Sequence, residues 1–377
     1  MPNRKRGFVW RWLRRTLIAL VLLLVALFGA LVVSSSWLKS FGGTLSGERL
    51  ERARRSPNFK DGKFVNSVPS DMLEPGSFWT MLKDQLFGGE ERVPAREVPV
   101  AFRTASDYAS APPLRVTWMG HATTLIEIEG RRVLTDPIWS ERASPSTWVG
   151  PKRFHAPPIP LAELPPVDVA LISHDHFDHL DMATVKHLAA SGTRFAVPLG
   201  IGAHFEVWGI GRERVVELDW HESTDVAGLT ITATPARHYS GRNPLRSDRT
   251  LWASWVVAGP TRRAFFSGDS GYFDAFSAIG TKYGPFDVAI VKVGASHWTW
   301  ADIHMQPEDA ARTALDVRAR LLIPVHWGTF NLAFHSWNEP PDRVLSAARA
   351  ANVPIVVPRP GQLVEPGTTK PGAEWWR

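Results

Sequence analysis

Ser173-His174-Asp175-His176-Phe177-Asp178-His179-Leu180-Asp181 is the stretch on which the fold turns. It holds four ligand-type side chains, His174, His176, Asp178 and His179, directly after the apolar run VDVALIS (167–173). On an extended chain side-chain direction repeats every two residues, so His174 and His176 can point the same way. Asp178 and His179 come where the chain turns into a helix expected over 181–190, capped by Asp181, and can address a second point nearby. The chain has no cysteine. That excludes disulfides, thiolate zinc sites and cysteine nucleophiles, and leaves imidazole and carboxylate as the metal donors. The alternative for such a loop is a solvated polar turn.

A two-metal centre needs more donors than one loop supplies, and three later strand ends offer them. His238 follows LTITATP (229–235), Asp269 follows RAFFSG (263–268), and His326 ends LLIPVH (321–326). Each lies just beyond an apolar strand, where open α/β sheets place their sites. Gly268 and Gly271 around Asp269 permit a tight backbone approach. LRVTWM (114–119), TTLIEIE (123–129) and RRVLTD (131–136) read as further strands, with a turn at Glu129-Gly130, and RFAVP, LWASWVV and FDVAIVKV read likewise. A helix is expected over 307–317, with Pro307 in its first turn. Strands in runs and then alternating with helices indicate an α/β sandwich.

The amino-terminal third differs. LIALVLLLVALFGALVV (17–33) is unbroken and apolar, preceded by six cationic residues. It sits at the short end of the roughly 17–25 residues that span a bilayer. Trp10, Trp12 and Trp37 flank it as interfacial aromatics do. An uncleaved anchor is favoured, with a cleaved signal peptide ending near Val33-Ser34-Ser35 as the competing reading. The positive-inside rule then puts the following domain outside the cytoplasm. The organisation expected is a basic tail (1–15), an anchor (16–37), a linker and extended arm with a short helix around Leu50 (38–113), and a catalytic domain (114–368). The net charge of +6 belongs to the tail, because seven cations precede Glu48 and the remainder carries 36 basic residues against 37 acidic. A nucleic-acid partner is disfavoured, since the folded part lacks an excess of positive charge.

HDHFDH resembles the HxHxDH signature of metallo-β-lactamase-fold hydrolases, and His238, Asp269 and His326 fall in the order that family uses. The resemblance is closest to the N-acyl-phosphatidylethanolamine-hydrolysing phospholipase D branch. It rests on TWMGHATTLIEI, LTDPIWSERASPSTWVGPKRF, LISHDHFDHLD, PARHYSGR, FFSGDSGYF, HMQPEDA and PVHWGTFNLA, over half the chain. It implies a four-layer αβ/βα sandwich, a phospholipid substrate and two zinc ions. One zinc would be held by His174, His176 and His238, the other by Asp178, His179 and His326, with Asp269 bridging. Such a pair lowers the pKa of bound water to about 7 and stabilises the oxygens of a displacement at phosphorus.

His304 in HMQPEDA is placed by the resemblance beside the substrate, where it would stabilise a phosphate oxygen or protonate the leaving alkoxide. With Asp178 and Asp269 it completes the candidate catalytic set; helix capping is its bland alternative. His121 is expected near the site but outside the ligand set, with Asp175, Asp181 and Ser270 as partners that orient the ligands. Trp298, Trp300, Phe330 and Phe334 are candidates for an apolar groove. Thr147-Trp148 and Phe177 depart from the animal enzymes of this branch at positions bordering the substrate. A lactone or a soluble phosphodiester is the alternative substrate, and a non-catalytic scaffold is disfavoured because all seven ligand positions are filled.

Overall fold

The computed structural model describes residues 3–32, 35–243 and 247–377; Val33 and Ser34 of the alternative cleavage site lie outside them. Helices α1 (Asn3–Val32), α2 (Ser35–Ser40) and α3 (Gly47–Arg54) lead into a small hairpin of β1 (Phe59–Lys60) and β2 (Lys63–Phe64). Within α1, Trp10–Gly29 is long and apolar enough to cross a membrane.

Two sheets form the body. The first has β3 (Leu114–Gly120), β4 (Thr123–Ile128), β5 (Arg131–Thr135), β6 (Val169–Leu171), β7 (Arg194–Pro198) and β8 (Val215–Leu218), in that spatial order. The second has β9 (Ser223–Val226), β10 (Leu229–Thr234), β11 (Ser254–Ala258), β12 (Arg263–Phe266), β13 (Val288–Lys292) and β14 (Leu322–Val325), also consecutive in space. The closing strand β15 (Leu363–Val364) returns to pair antiparallel with β3. In each sheet an antiparallel meander gives way to parallel strands, from β5 onward in the first and from β12 onward in the second. Parallel strands need crossovers, and the helices that make them cover the outer faces.

Strand periodicity then assigns every side chain to a layer. Ile126, Val133, Val169 and Leu171 enter the core between the sheets, alongside Ile231 and Val257. Their neighbours Leu125, Leu134, Ala170 and Ile172 point the other way, against Val185 and Leu188 of α5 (Met182–Ala190) and Phe205 of α6 (Gly202–Val207). On the opposite face α7 (Ala275–Tyr283), α8 (Pro307–Asp316) and α9 (Glu339–Ala350) pack on the second sheet through Phe276, Ala310, Ala314 and Val344. The layers therefore run helix, sheet, sheet, helix. Burial on both faces explains the continuous apolar runs in the sequence.

Two features depart from the expected organisation. The arm is not extended throughout, because α4 (Phe78–Phe87) lies within it with none of its residues buried. It is also more than a linker: Ala53, Phe64 and Val98 reach the core singly, which leaves no period to read. The packed body also continues beyond residue 368, where Trp376 is buried and Trp375 stacks on Trp327 at 5.1 Å.

Candidate metal centre

Six strand ends meet at one edge of the sandwich: His121 after β3, Asp136 after β5, the 173–181 loop after β6, His238 after β10, Asp269 after β12 and His326 after β14. The chain must turn sharply there. Three of these residues, His121 (φ 51°), Asp136 (φ 34°) and His326 (φ 67°), adopt left-handed backbone conformations that non-glycine residues seldom take. Gly268 is needed beside Asp269, since at φ 55° a Cβ would meet the Ser173 side chain at 2.5 Å. A Cβ on Gly271 would strike the Asp302 carbonyl oxygen at 2.0 Å.

The donor atoms converge in two groups. His174 Nε2 lies 2.8 Å and His238 Nε2 3.4 Å from His176 Nδ1. Nearby, His326 Nε2 lies 3.1 Å from His179 Nε2, with Asp178 Oδ2 at 3.2 Å from His179 and 3.5 Å from His326. Asp269 Oδ2 sits 3.0 Å from His326 Nε2 and 3.4 Å from His179 Nε2, and Asp269 also groups with His174.

The far side of three rings is fixed. His179 Nδ1 faces Asp136 Oδ2 at 2.7 Å, and His238 Nδ1 donates to the Ile303 carbonyl at 2.9 Å. Ser173 Oγ donates to Asp136 at 2.6 Å and accepts from His174 Nδ1 at 2.8 Å. A hydrogen on Nδ1 leaves the lone pair on Nε2, so all three rings aim a lone pair at the cluster. Asp269 Oδ1 and the Nδ1 atoms of His304 and His326 are buried with no hydrogen-bond partner among the described residues. Facing lone pairs, two carboxylates and orphaned buried atoms fit a cation pair and fit little else.

The electrostatics agree. Burial pushes His238 down to about 3 and holds His174 well below the usual range, keeping both in the neutral form that ligates. Burial opposes charge on Asp178 and Asp269, but the surrounding imidazoles outweigh it and hold both ionised. Burial also opposes charge on His179, and there Asp269, Asp178 and Asp136 overcome it and raise its pKa. A metal ion and that proton compete for the same lone pair.

The seven side chains read as ligands thus lie together. His304 stands beside them, its Nδ1 3.8 Å from Asp269 Oδ2. His121 lies beside the cluster, bonding Asp178 Oδ2 at 2.8 Å with its ring 4.0 Å from that of His326. None of the three expected orienting partners hydrogen-bonds a ligand ring among the described residues. Asp175 bonds His204 and the Gly241 amide, Asp181 caps α5, and Ser270 accepts from the Arg237 amide. Ser173 and Asp136 do that work instead. The signal for Asp136 was its place in RRVLTD, an acidic residue ending a strand.

Above the cluster lies a cavity of about 480 Å³ with His176, Asp178, Asp269, His304 and His326 at its floor. Met72, Leu73 and Met81 of the arm, with Trp300 and Leu332, give it apolar walls, and Phe177 and Ala143 complete the rim. Phe330 is buried against His121 and Phe334 packs on Trp300, so neither lines the groove. Trp298 is largely exposed.

A family profile described as the beta-lactamase superfamily domain matches residues 131–327. An uncharacterised protein of Mycobacterium tuberculosis is 47% identical over 336 residues, covering 86% of this chain and 88% of its own. N-acyl-phosphatidylethanolamine-hydrolyzing phospholipase D 1 of Caenorhabditis elegans is 39% identical over 268 residues, covering 68% of this chain and 75% of its own. Among solved structures, the metallo hydrolase Igni18 of Ignicoccus hospitalis is similar with a TM-score of 0.53 at 21% identity, covering 67% of this chain and 97% of its own. The chain belongs to the beta-lactamase superfamily, with the metallo-β-lactamase fold, and is a metal-dependent hydrolase.

Proposed function

We propose that this hydrolase is a zinc-dependent phosphodiesterase of the phospholipase D type, acting on N-acyl-phosphatidylethanolamine or a phospholipid of similar build. The observation that carries the reading is the open groove with apolar walls above the His/Asp cluster, in a chain 39% identical to a relative named for that reaction. A lactone or a soluble diester needs no such groove.

In this reading His174, His176 and His238 hold one zinc, Asp178, His179 and His326 the other, and Asp269 serves both. When bound, the pair supplies Lewis acidity and a nucleophile at neutral pH. The chain's own residues do the rest. Asp136 and Ser173 keep the imidazoles in the ligating tautomer. Burial, reinforced by Lys292, holds His304 well below its usual range and therefore neutral. It can then donate an N–H to a phosphate oxygen or a leaving alkoxide without carrying charge. The groove walls take up acyl carbons and exclude water from the phosphodiester.

The surface around the mouth supports a bilayer as the source of substrate. Trp79, Leu86 and Phe87 of α4 are exposed by 74%, 62% and 79%, and Trp148, in the loop that follows the rim residue Ala143, by 79%. Exposed aromatic and aliphatic side chains of this kind suit a membrane interface. The candidate span in α1 would hold the enzyme there, with the domain on the side opposite the basic tail.

The test is metal analysis of the purified full chain, coupled to hydrolysis of N-acyl-phosphatidylethanolamine vesicles, a lactone panel and bis(p-nitrophenyl) phosphate. Two zinc per chain and phosphatidate release are expected. Lactone opening without phosphatidate would replace the lipid by a small ester. His304→Ala should keep its zinc and lose about 10²–10³-fold in kcat, whereas Asp269→Asn should lose both.

A further inference from the structure

The segment between the apolar helix and the domain passes directly behind the metal loop. Ser40 is buried there although its neighbours Leu38 and Lys39 are exposed. Arg242 fixes it: the guanidinium, in a residue only 4% exposed, donates through Nε to the Ser40 carbonyl at 2.8 Å. Through Nη1 it donates to the carbonyls of Asp175 and Leu180, both at 2.8 Å. Those two carbonyls bracket His176, Asp178 and His179. The same guanidinium lies 4.0 Å from the ring centroid of Phe177, inside the loop, and 5.3 Å from that of Trp208. A planar fork with several donors can join three carbonyls and stack on a ring at once, which an ammonium group cannot.

A second connection runs in parallel. The Gly43 amide donates to His204 Nδ1 at 2.9 Å, so His204 carries its proton on Nε2, 3.2 Å from Asp175 Oδ2. Gly42 and Gly43 make this approach possible. A Cβ on Gly42 would lie 2.0 Å from His204 Nδ1, and one on Gly43 2.1 Å from the Ala203 carbonyl oxygen. The Trp208 indole donates to the Lys39 carbonyl at 2.6 Å, and Phe41 meets Phe177 edge-on at 6.0 Å between centroids. Residues 39–43 are therefore seated on the loop that carries four of the proposed ligands.

We infer that Arg242 is a positioning residue for the metal centre, and that residues 39–43 form a latch which, through Arg242 and His204, sets the shape of the 174–181 loop. The segment leaving the candidate membrane helix would then be part of the hydrolase itself. This rests on the reading of His176, Asp178 and His179 as ligands, and the test separates the two.

The full chain is compared with Arg242→Met, Arg242→Lys and Gly42→Ala. None of the three removes a ligand, and Gly42→Ala leaves Arg242 intact while pushing the segment off His204. Three readouts are taken: zinc release to a chromophoric chelator, the visible spectrum of the cobalt-substituted protein, and amide hydrogen exchange over residues 175–181. Arg242→Met should release zinc about 10–100-fold faster, shift the cobalt bands and raise exchange across the loop, with Arg242→Lys recovering only part. Gly42→Ala should change all three in the same direction. Wild-type values in both Arg242→Met and Gly42→Ala overturn the latch. Should Arg242→Met not fold, Gly42→Ala decides alone. If the wild type binds no metal while the exchange of 175–181 still rises in the variants, the ligand reading falls and the latch stands.

Discussion

Asp136 carries no ligand role, yet the centre leans on it. Its carboxylate receives His179 Nδ1 at 2.7 Å and both the amide and hydroxyl of Ser173 at 2.6 Å. Asp136→Asn would turn one acceptor into a donor facing donors. We predict about 10–100-fold weaker zinc binding with the fold retained, read by chelator competition and circular dichroism; unchanged affinity would remove Asp136 from the site. Lys292 makes the opposite kind of prediction. Its ammonium is fully buried, with the Met305 carbonyl at 3.4 Å, and burial pushes its pKa down to about 7. The folded pKa lies below the unfolded one, so between pH 7 and about 10.4 the unfolded chain binds more protons and stability rises with pH. Lys292→Met should therefore be more stable than wild type at pH 7, with an advantage that shrinks by at most about 1.4 kcal/mol per pH unit toward pH 10. Urea titrations of the metal-free proteins across that range would show it, and parallel curves would refute it. Sequence reading singled out the seven candidate ligands that the fold brings together and missed these two. Metal donors are scarce residue types that gather visibly, as in HDHFDH, whereas an Asp or Lys ending a strand looks like any other until the partner across the fold is known.

At the scale of elements the apolar runs were legible because both sheet faces are covered, and Asp181 marked the start of α5. Helix α4 was not legible. Its contacts with the body run through partly buried Met81 and through Asp84, 3.4 Å from His297, so FWTMLKDQLF shows no clean buried stripe. Pairings between strands were equally hidden, and one carries a measurable cost. Arg115 of β3 and Glu127 of β4 bond at 2.5 Å with both side chains 4% exposed. Arg115→Ala would strand a buried carboxylate, a loss of roughly 3–5 kcal/mol. Arg132, 3.7 Å from Glu127 Oε1, offers a partial substitute and favours the lower end of that range. Replacing both partners, as Arg115→Met with Glu127→Leu, should cost far less, because no charge is left unpaired. Urea unfolding of the two single variants and the double variant decides it; equal losses in all three would mean that packing, not charge, holds the pair.

For the whole molecule, what matters is where the donors come from. His174, His176, Asp178 and His179 follow β6 of the first sheet, whereas His238, Asp269 and His326 follow β10, β12 and β14 of the second. Each proposed zinc therefore takes ligands from both sheets and fastens them at the edge where the strand ends meet. Sequence order reveals the donors but not this division, since it depends on which strands share a sheet. Fastening of this kind is a stability statement: a ligand that binds only the folded state adds RT ln(1 + [L]/Kd), about 4 kcal/mol at a thousand times Kd. Chelation should consequently lower the melting temperature by roughly 8–16 °C for a domain of this size. Re-addition of zinc should restore it. Asp269→Asn should melt near the chelated value and respond to neither treatment. His304→Ala, which removes no donor, should respond as the wild type does. A chelated wild type that melts at its original temperature would mean that the sheets are held by their apolar interface alone, and that no metal joins them.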